Sequence, residues 1–129
     1  MKFLFSFFFF FASSLTVIGQ TVTTTDYVKT KPGEFDNYVE FLKKNWVVAR
    51  EKAKEKGFVV SFRFVTNPKD SVQDVTLITE YKDSATYKDR EKIFQQIFKE
   101  SFPNGPVLVN GKRSKDMAEI RMSKEMKKE

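Results

Sequence analysis

Cysteine and histidine are both missing from the 129 residues of this sequence. Without cysteine the chain has no disulfide, no thiol nucleophile and no thiolate zinc site. Without histidine it lacks the usual proximal haem ligand and the base of a Ser-His triad. Glycine and proline are scarce, at five and four residues, and no glycine-rich phosphate loop is present. We therefore predict no metal and no resident cofactor.

Charge is almost absent from the beginning of the chain, where Lys2 is the only charged residue before Asp26. An apolar run, Phe3–Phe11, follows Lys2, and it is shorter than the roughly 20 residues of a spanning helix. Small residues then precede a cut after Gly19, as in secretory signal peptides. We expect residues 1–19 to be removed and the protein to be exported, either periplasmic or secreted, without stable membrane association afterwards. An uncleaved anchor is the alternative.

The remaining charges do not predict a nucleic-acid partner, although the formal net charge of the whole chain is +6. Lysine and glutamate are interleaved, as in residues 50–56 and 124–129, which is typical of a solvated face. An exported chain without disulfides must rely on its core or on oligomerisation. We therefore expect a homodimer.

Hydrophobic periodicity predicts strands and helices in the order β-α-β-β-α-β. The predicted ranges are Thr21–Thr30, Glu34–Lys56, Phe58–Val65, Val72–Tyr81, Ser84–Glu100 and Asp116–Met122. Residues 20–122 then form one ferredoxin-like α+β domain, with two helices on one face of a four-stranded antiparallel sheet. Pairing Val65 with Val72 in the hairpin puts Arg63 opposite Asp74. Residues 123–129 are polar and are predicted to form a frayed tail.

Two stretches, Tyr27–Leu42 and Val75–Arg90, resemble the dimeric α/β-barrel superfamily. They are similar to the first strand and helix, and to the third strand and second helix, of antibiotic-biosynthesis-monooxygenase-like and NIPSNAP-like domains. The resemblance implies a homodimer of face-to-face sheets, with a pocket between the sheet and the helices of each protomer. Members include cofactor-independent monooxygenases, isomerases, haem-handling proteins and domains without known activity, so the resemblance implies no single reaction. Relatives that bind haem through histidine differ from this chain.

Three side chains are the candidates for catalysis: Tyr81 to orient a ligand, Glu80 as a general base, and Arg63 to anchor an anionic substrate. Trp46 and Arg90 are the candidates for ligand binding. Each has a structural alternative. Trp46 and Tyr81 fit a packed core, and Arg63 fits a cross-strand ion pair. Arg90 either reaches Glu80 or lies along apolar surface.

The leading expectation for function is an exported dimeric α/β-barrel domain of unassigned activity that binds a small apolar ligand. The alternative is a cofactor-independent monooxygenase or isomerase acting on a small activated organic substrate. That alternative requires a cavity of about 300 Å³ or more with converging polar groups. Adhesion to acidic polymers is a third hypothesis, and it predicts binding that weakens steeply with salt.

Overall fold

The computed structural model describes residues 20–128. The predicted signal peptide, residues 1–19, lies outside the described residues. Between residues 20 and 128, no helix is long and apolar enough to cross a membrane.

Four strands and a set of helices form two layers. The strands are β1 Val22–Thr30, β2 Val59–Thr66, β3 Val75–Tyr81 and β4 Ala118–Lys127. The helices are α1 Phe35–Phe41, α2 Val47–Glu55, α3 Ser84–Lys88, α4 Arg90–Ser101 and α5 Ser114–Met117. The strands are antiparallel in the order β2-β3-β1-β4. This arrangement confirms the ferredoxin-like α+β fold predicted from the sequence.

The predicted first helix is present, but a π-helical segment, Leu42–Trp46, joins α1 to α2. Lysines in the last turn of α2 suit its negative dipole end, and Gly57 follows with a φ of 81° that favours glycine. The π-helical segment turns Asn45 inward, where it is only 3 % exposed. Such segments are rare and shift the side chains that follow them around the helix.

The register of the β2–β3 hairpin differs from the predicted one. Thr66 pairs with Val75, which puts Arg63 opposite Ile78 and makes the predicted Arg63–Asp74 pair wrong. The cause is a longer connection: the Asp70 carboxylate accepts hydrogen bonds from the backbone N–H groups of residues 72 and 73, at 2.8 and 3.0 Å. This local turn competes with strand formation and delays β3 by three residues.

The second half of the chain brings two further corrections. The predicted helix Ser84–Glu100 is divided at Asp89 into α3 and α4. The predicted frayed tail is wrong, because β4 continues through Ser123 to Lys127 and pairs with β1. Its side chains are exposed there, so main-chain hydrogen bonds to β1 hold the segment in place. The polarity of the side chains therefore does not predict whether this segment forms a strand.

The two faces of the sheet have different surroundings. The helices cover one face, called here the helix side, which carries buried residues such as Val22, Val28, Val75, Leu77, Thr79 and Tyr81. The other face, called here the open face, carries side chains that no helix covers: Thr23, Thr25, Tyr27, Ser61, Arg63, Val65, Thr76, Ile78, Glu80, Met122, Lys124 and Met126.

Candidate functional site

A cavity lies between the helix side of the sheet and the helices. Its main part has a volume of about 600 Å³ and is lined largely by aromatic and apolar side chains, among them Tyr38, Phe41, Trp46, Leu77, Phe98 and Phe102. A second part of about 400 Å³ adjoins it and is lined by Tyr81, Tyr87, Arg90 and Phe94. Asp26, Arg50 and Phe98 line both parts, which together are called here the interlayer cavity. Cavities of this size bind small organic molecules.

Asn45 fixes one wall of the interlayer cavity. Its side-chain amide donates to the backbone oxygens of Phe41 and Val107, at 3.0 and 2.8 Å. Its oxygen accepts from the backbone N–H of Val107 at 2.7 Å. These bonds tie the π-helical segment to the loop after α4, whose Gly105 and Pro106 line the cavity. Asn45 therefore acts as a structural support of the wall.

Arg50 is the most unusual polar residue of the cavity. Its guanidinium carbon lies 5.0 Å from the ring centroid of Trp46 and 4.0 Å from that of Phe94. Its Nε donates to the hydroxyl of Thr79 at 3.3 Å. Burial lowers the pKa of Arg50, and electrostatic interactions with Tyr81 and Asp26 oppose that shift. An arginine still remains protonated at neutral pH.

The charge of Arg50 is left without a carboxylate partner within residues 20–128, because every ion pair there joins other residues. No described side-chain nitrogen or oxygen is fully buried and unpaired either. The two terminal nitrogens of Arg50, which have no hydrogen bond to a described residue, are therefore not fully buried, and Arg50 lines both parts of the interlayer cavity. They are free to donate to a ligand.

Two tyrosines offer neutral hydroxyl groups to the cavity. Burial, together with the charges of Asp26 and Asp74, raises the pKa of Tyr38 to about 12. Burial also raises the pKa of Tyr81, although the charges of Arg50 and Arg90 act in the opposite direction. Both phenols are therefore protonated at neutral pH and serve as hydrogen-bond donors.

Trp46, Tyr81 and Arg90, three of the residues singled out in the sequence, line the interlayer cavity. Trp46 is half-buried and packs edge-on against Phe62 at 5.7 Å between ring centroids. The Arg90 guanidinium lies 4.1 Å from the ring centroid of Tyr87, and one of its nitrogens donates to the Tyr87 backbone oxygen at 2.9 Å. Arg90 therefore follows apolar surface and does not bond to Glu80.

Glu80 and Arg63 do not line the interlayer cavity, because both side chains lie on the open face. Glu80 accepts hydrogen bonds from the hydroxyls of Thr21 and Ser61, at 3.3 and 3.4 Å. Arg63 is exposed opposite Ile78. Successive residues of a strand point to opposite faces, so Glu80 and its neighbour Tyr81 are separated by the sheet.

Arg50 was not among the residues singled out in the sequence, because its segment has the mixed charge of a solvated face. A signal was present: Arg50 follows Trp46 by four residues and stands next to Ala49, which is on the apolar stripe of the same helix. Across residues 20–128, no group of three histidine, cysteine, aspartate or glutamate side chains is placed to hold a metal ion.

No protein-family model and no curated protein sequence matches this chain. Solved structures do match. A conserved protein of unknown function from Bacteroides thetaiotaomicron has a TM-score of 0.56 at 8 % identity, covering 84 % of this chain and 98 % of its own. A protein from Chloroflexus aurantiacus, named after the antibiotic biosynthesis monooxygenases, has a TM-score of 0.53 at 12 % identity, covering 84 % and 92 %.

A dimeric ferredoxin-like protein from an uncultured marine organism has a TM-score of 0.50 at 10 % identity, covering 84 % of this chain and 85 % of its own. At these identities the likeness establishes the fold alone. It confirms, as a likeness of fold, the resemblance to antibiotic-biosynthesis-monooxygenase-like and dimeric ferredoxin-like proteins.

Proposed function

We propose that this chain is an exported, homodimeric ferredoxin-like domain that binds a small, largely apolar organic ligand in the interlayer cavity. One observation carries the proposal: a cavity of about 600 Å³ with aromatic walls, whose lining includes the polar residues Arg50 and Tyr38. Binding sites commonly combine such walls with a few converging polar groups. Export rests on the charge-poor, phenylalanine-rich start of the sequence.

The open face supports the homodimer. Val65, Met122 and Met126 are 47 %, 45 % and 72 % exposed there, and Thr25 and Ile78 lie between them on the central strands. A sheet face with uncharged and apolar side chains at its centre gains free energy when a second sheet covers it. A structural neighbour with this fold is described as dimeric.

The alternative function, a cofactor-independent monooxygenase or isomerase, has a weaker basis. The cavity is large enough for a substrate, but Glu80 and Arg63, the candidates for general base and anchor, lie across the sheet from it. A general base must lie within hydrogen-bond reach of the proton it removes. Ligand binding is therefore the better-supported function.

Binding can be tested with the neutral probe N-phenyl-1-naphthylamine, which fluoresces when it enters an apolar site. Trp46 is the only tryptophan and lines the cavity, so its emission reports the same event from the protein. We expect saturable binding of one probe per chain to the protein purified without residues 1–19. Native mass spectrometry of protein from its own compartment would then identify a natural occupant by its extra mass.

Two variants test whether the probe binds in the interlayer cavity. Leu77→Phe puts a ring into the cavity and is expected to weaken probe binding, since Leu77 lines its main part. Ile78→Phe adds a ring to the open face, on the next residue of the same strand, and is expected to leave binding unchanged. Equal effects of the two changes, or no saturable binding to the parent protein, would rule out the proposal.

A further inference from the structure

We infer that the ligand carries an anionic group, such as the carboxylate of a small planar aromatic acid, and that Arg50 binds this group. The inference rests on the proposed function, because it concerns the chemical class of the ligand in the same cavity. Three properties of the described residues support it: the unpaired charge of Arg50, the shape of its binding surface, and the charge balance of the cavity wall.

The first property is a charge placed where solvent is restricted. Removing a charged group from water costs several kcal/mol unless it is paired. Arg50 has a hydrogen bond to Thr79 and two aromatic neighbours, which stabilise a cation only in part. The exposed ion pairs between residues 20 and 128 contrast with it, since Lys44–Glu40 and Lys52–Glu55 pair in solvent. An anion in the cavity would complete the pairing of Arg50.

The second property is the geometry of the guanidinium. The ring centroids of Trp46 and Phe94 lie 5.0 and 4.0 Å from its central carbon, and its Nε donates to the Thr79 hydroxyl. These contacts limit how the guanidinium can turn, and its two terminal nitrogens remain for a ligand. Two nitrogens in one plane match the two oxygens of a carboxylate or sulfonate. Aromatic walls around this fork suit a ligand whose remaining atoms are apolar and planar.

The third property is the sign of the charge around the main part of the cavity. Arg50, Arg113 and Lys115 line it against one carboxylate, Asp26. Glu91 and Glu125 line the second part, so basic residues exceed acidic ones by five to three over the whole interlayer cavity. Asp26 is also engaged, because its Oδ1 accepts a hydrogen bond from the Ser123 hydroxyl at 2.6 Å. Low-dielectric walls with an excess of one charge concentrate ligands of the opposite charge.

The test uses two probes that differ by one group. 8-Anilinonaphthalene-1-sulfonate has the ring system of N-phenyl-1-naphthylamine and adds a sulfonate. We expect the parent protein to bind the sulfonate more tightly, and Arg50→Gln to weaken sulfonate binding about ten- to a hundredfold, as expected for hydrogen bonds to a charged group. Binding of the neutral probe should change less than about threefold, since apolar contacts with the ring system remain.

Lys54→Gln is the matched control, because it removes the same charge from an exposed position of the same helix. It should leave the affinity for both probes unchanged. Circular dichroism shows whether Arg50→Gln folds. If it does not, Arg50→Lys keeps the charge but removes the fork, and selective weakening of sulfonate binding by that variant supports the inference equally.

The outcomes separate the two proposals. If the neutral probe binds and the sulfonate binds no more tightly, the anionic ligand is ruled out and the binding cavity remains. Loss of both probes to the same extent in Arg50→Gln or Arg50→Lys likewise overturns the role of Arg50. If neither probe binds the parent protein, the proposed function itself fails.

Discussion

The two faces of the sheet are built from the same strands and yet differ in how deeply their side chains are buried and in what covers them. On β3, Val75, Leu77 and Tyr81 are buried on the helix side, at 0 %, 7 % and 3 % exposure. Ile78 and Glu80, which alternate with them, are half-buried on the open face. Adjacent residues of one strand therefore lie on opposite faces of the sheet. Two residues next to each other in the sequence, such as Glu80 and Tyr81, cannot act in the same site here.

Two arginines, Arg50 and Arg63, show the same difference between the two faces. Arg50 lies against the rings of Trp46 and Phe94 on the helix side, where it lines the interlayer cavity. Arg63 is exposed on the open face, next to Ile78 across the hairpin. An exposed guanidinium is solvated by water, whereas a stacked and half-buried one lacks part of that solvation. Under the two proposals made above, the helix side binds the ligand and the open face contacts the second protomer.

Truncating an isoleucine on each side of the sheet gives the largest expected difference. Ile97, on α4, is 1 % exposed in the core of the helix side, and Ile97→Ala should lower the free energy of unfolding by about 2–5 kcal/mol, because it leaves a cavity in packed core. Ile78→Ala removes the same atoms from the open face and should cost less than about 1.5 kcal/mol in the monomer. Urea denaturation at low protein concentration measures both.

Equal costs of the two substitutions at low protein concentration would contradict the difference in burial between the two sides of the sheet. A cost of Ile78→Ala that grows with protein concentration, with no such growth for Ile97→Ala, would support an interface on the open face. Such growth is expected when the changed residue contacts a second protomer, because dimer stability depends on concentration.

A charge placed on the open face should dissociate the dimer. Ile78 pairs with Thr25 and Arg63 on neighbouring strands, so Ile78→Lys puts an ammonium among side chains that a second sheet would bury. We expect the dissociation constant to rise about a hundredfold, or about 2.7 kcal/mol, since the charge would be unpaired in the interface. Size-exclusion chromatography with light scattering at micromolar concentration measures the change.

Val48→Lys is the control for this prediction, because Val48 is 42 % exposed on α2, away from the open face. That variant should keep the oligomeric state of the parent protein. A parent protein that is already a monomer at micromolar concentration would contradict the homodimer, and an unchanged dimer in Ile78→Lys would move the interface elsewhere.

The fold could be predicted from the sequence because its signals are local and repeated. The alternation of Val75, Leu77, Thr79 and Tyr81 predicted a strand with these four residues on one face, and all four are buried. Which face meets the helices could not be predicted, because both faces of the predicted strand carry apolar residues. Boundaries were less predictable. The turn around Asp70 and the pairing of Ser123–Lys127 with β1 depend on main-chain hydrogen bonds, which carry no hydrophobic pattern.

The candidate site could be predicted only in part. Trp46 was singled out because it is apolar at a helical spacing, and it lines the cavity. Arg50 was not, because a charged residue among other charged residues indicates solvent unless the rotation of the helix is known. The π-helical segment Leu42–Trp46 changes that rotation just before Arg50, and nothing in the residue pattern indicates it.

The smallest expected effect concerns the buried phenol of Tyr38 in alkali. Its pKa is raised to about 12, chiefly by burial, against about 10 in an unfolded chain. The folded state therefore favours the neutral phenol, so this contribution to stability is fully present below pH 10 and is lost as the pH rises towards 12. Between pH 9 and pH 11, the free energy of unfolding of the parent protein should fall by about 1 kcal/mol more than that of Tyr38→Phe.

Denaturation at the two pH values measures this difference, with absorbance at 295 nm following phenolate formation. Equal slopes for the two proteins would mean that Tyr38 ionises as readily when folded as when unfolded, and the helix side would then admit far more water to this hydroxyl than its burial indicates.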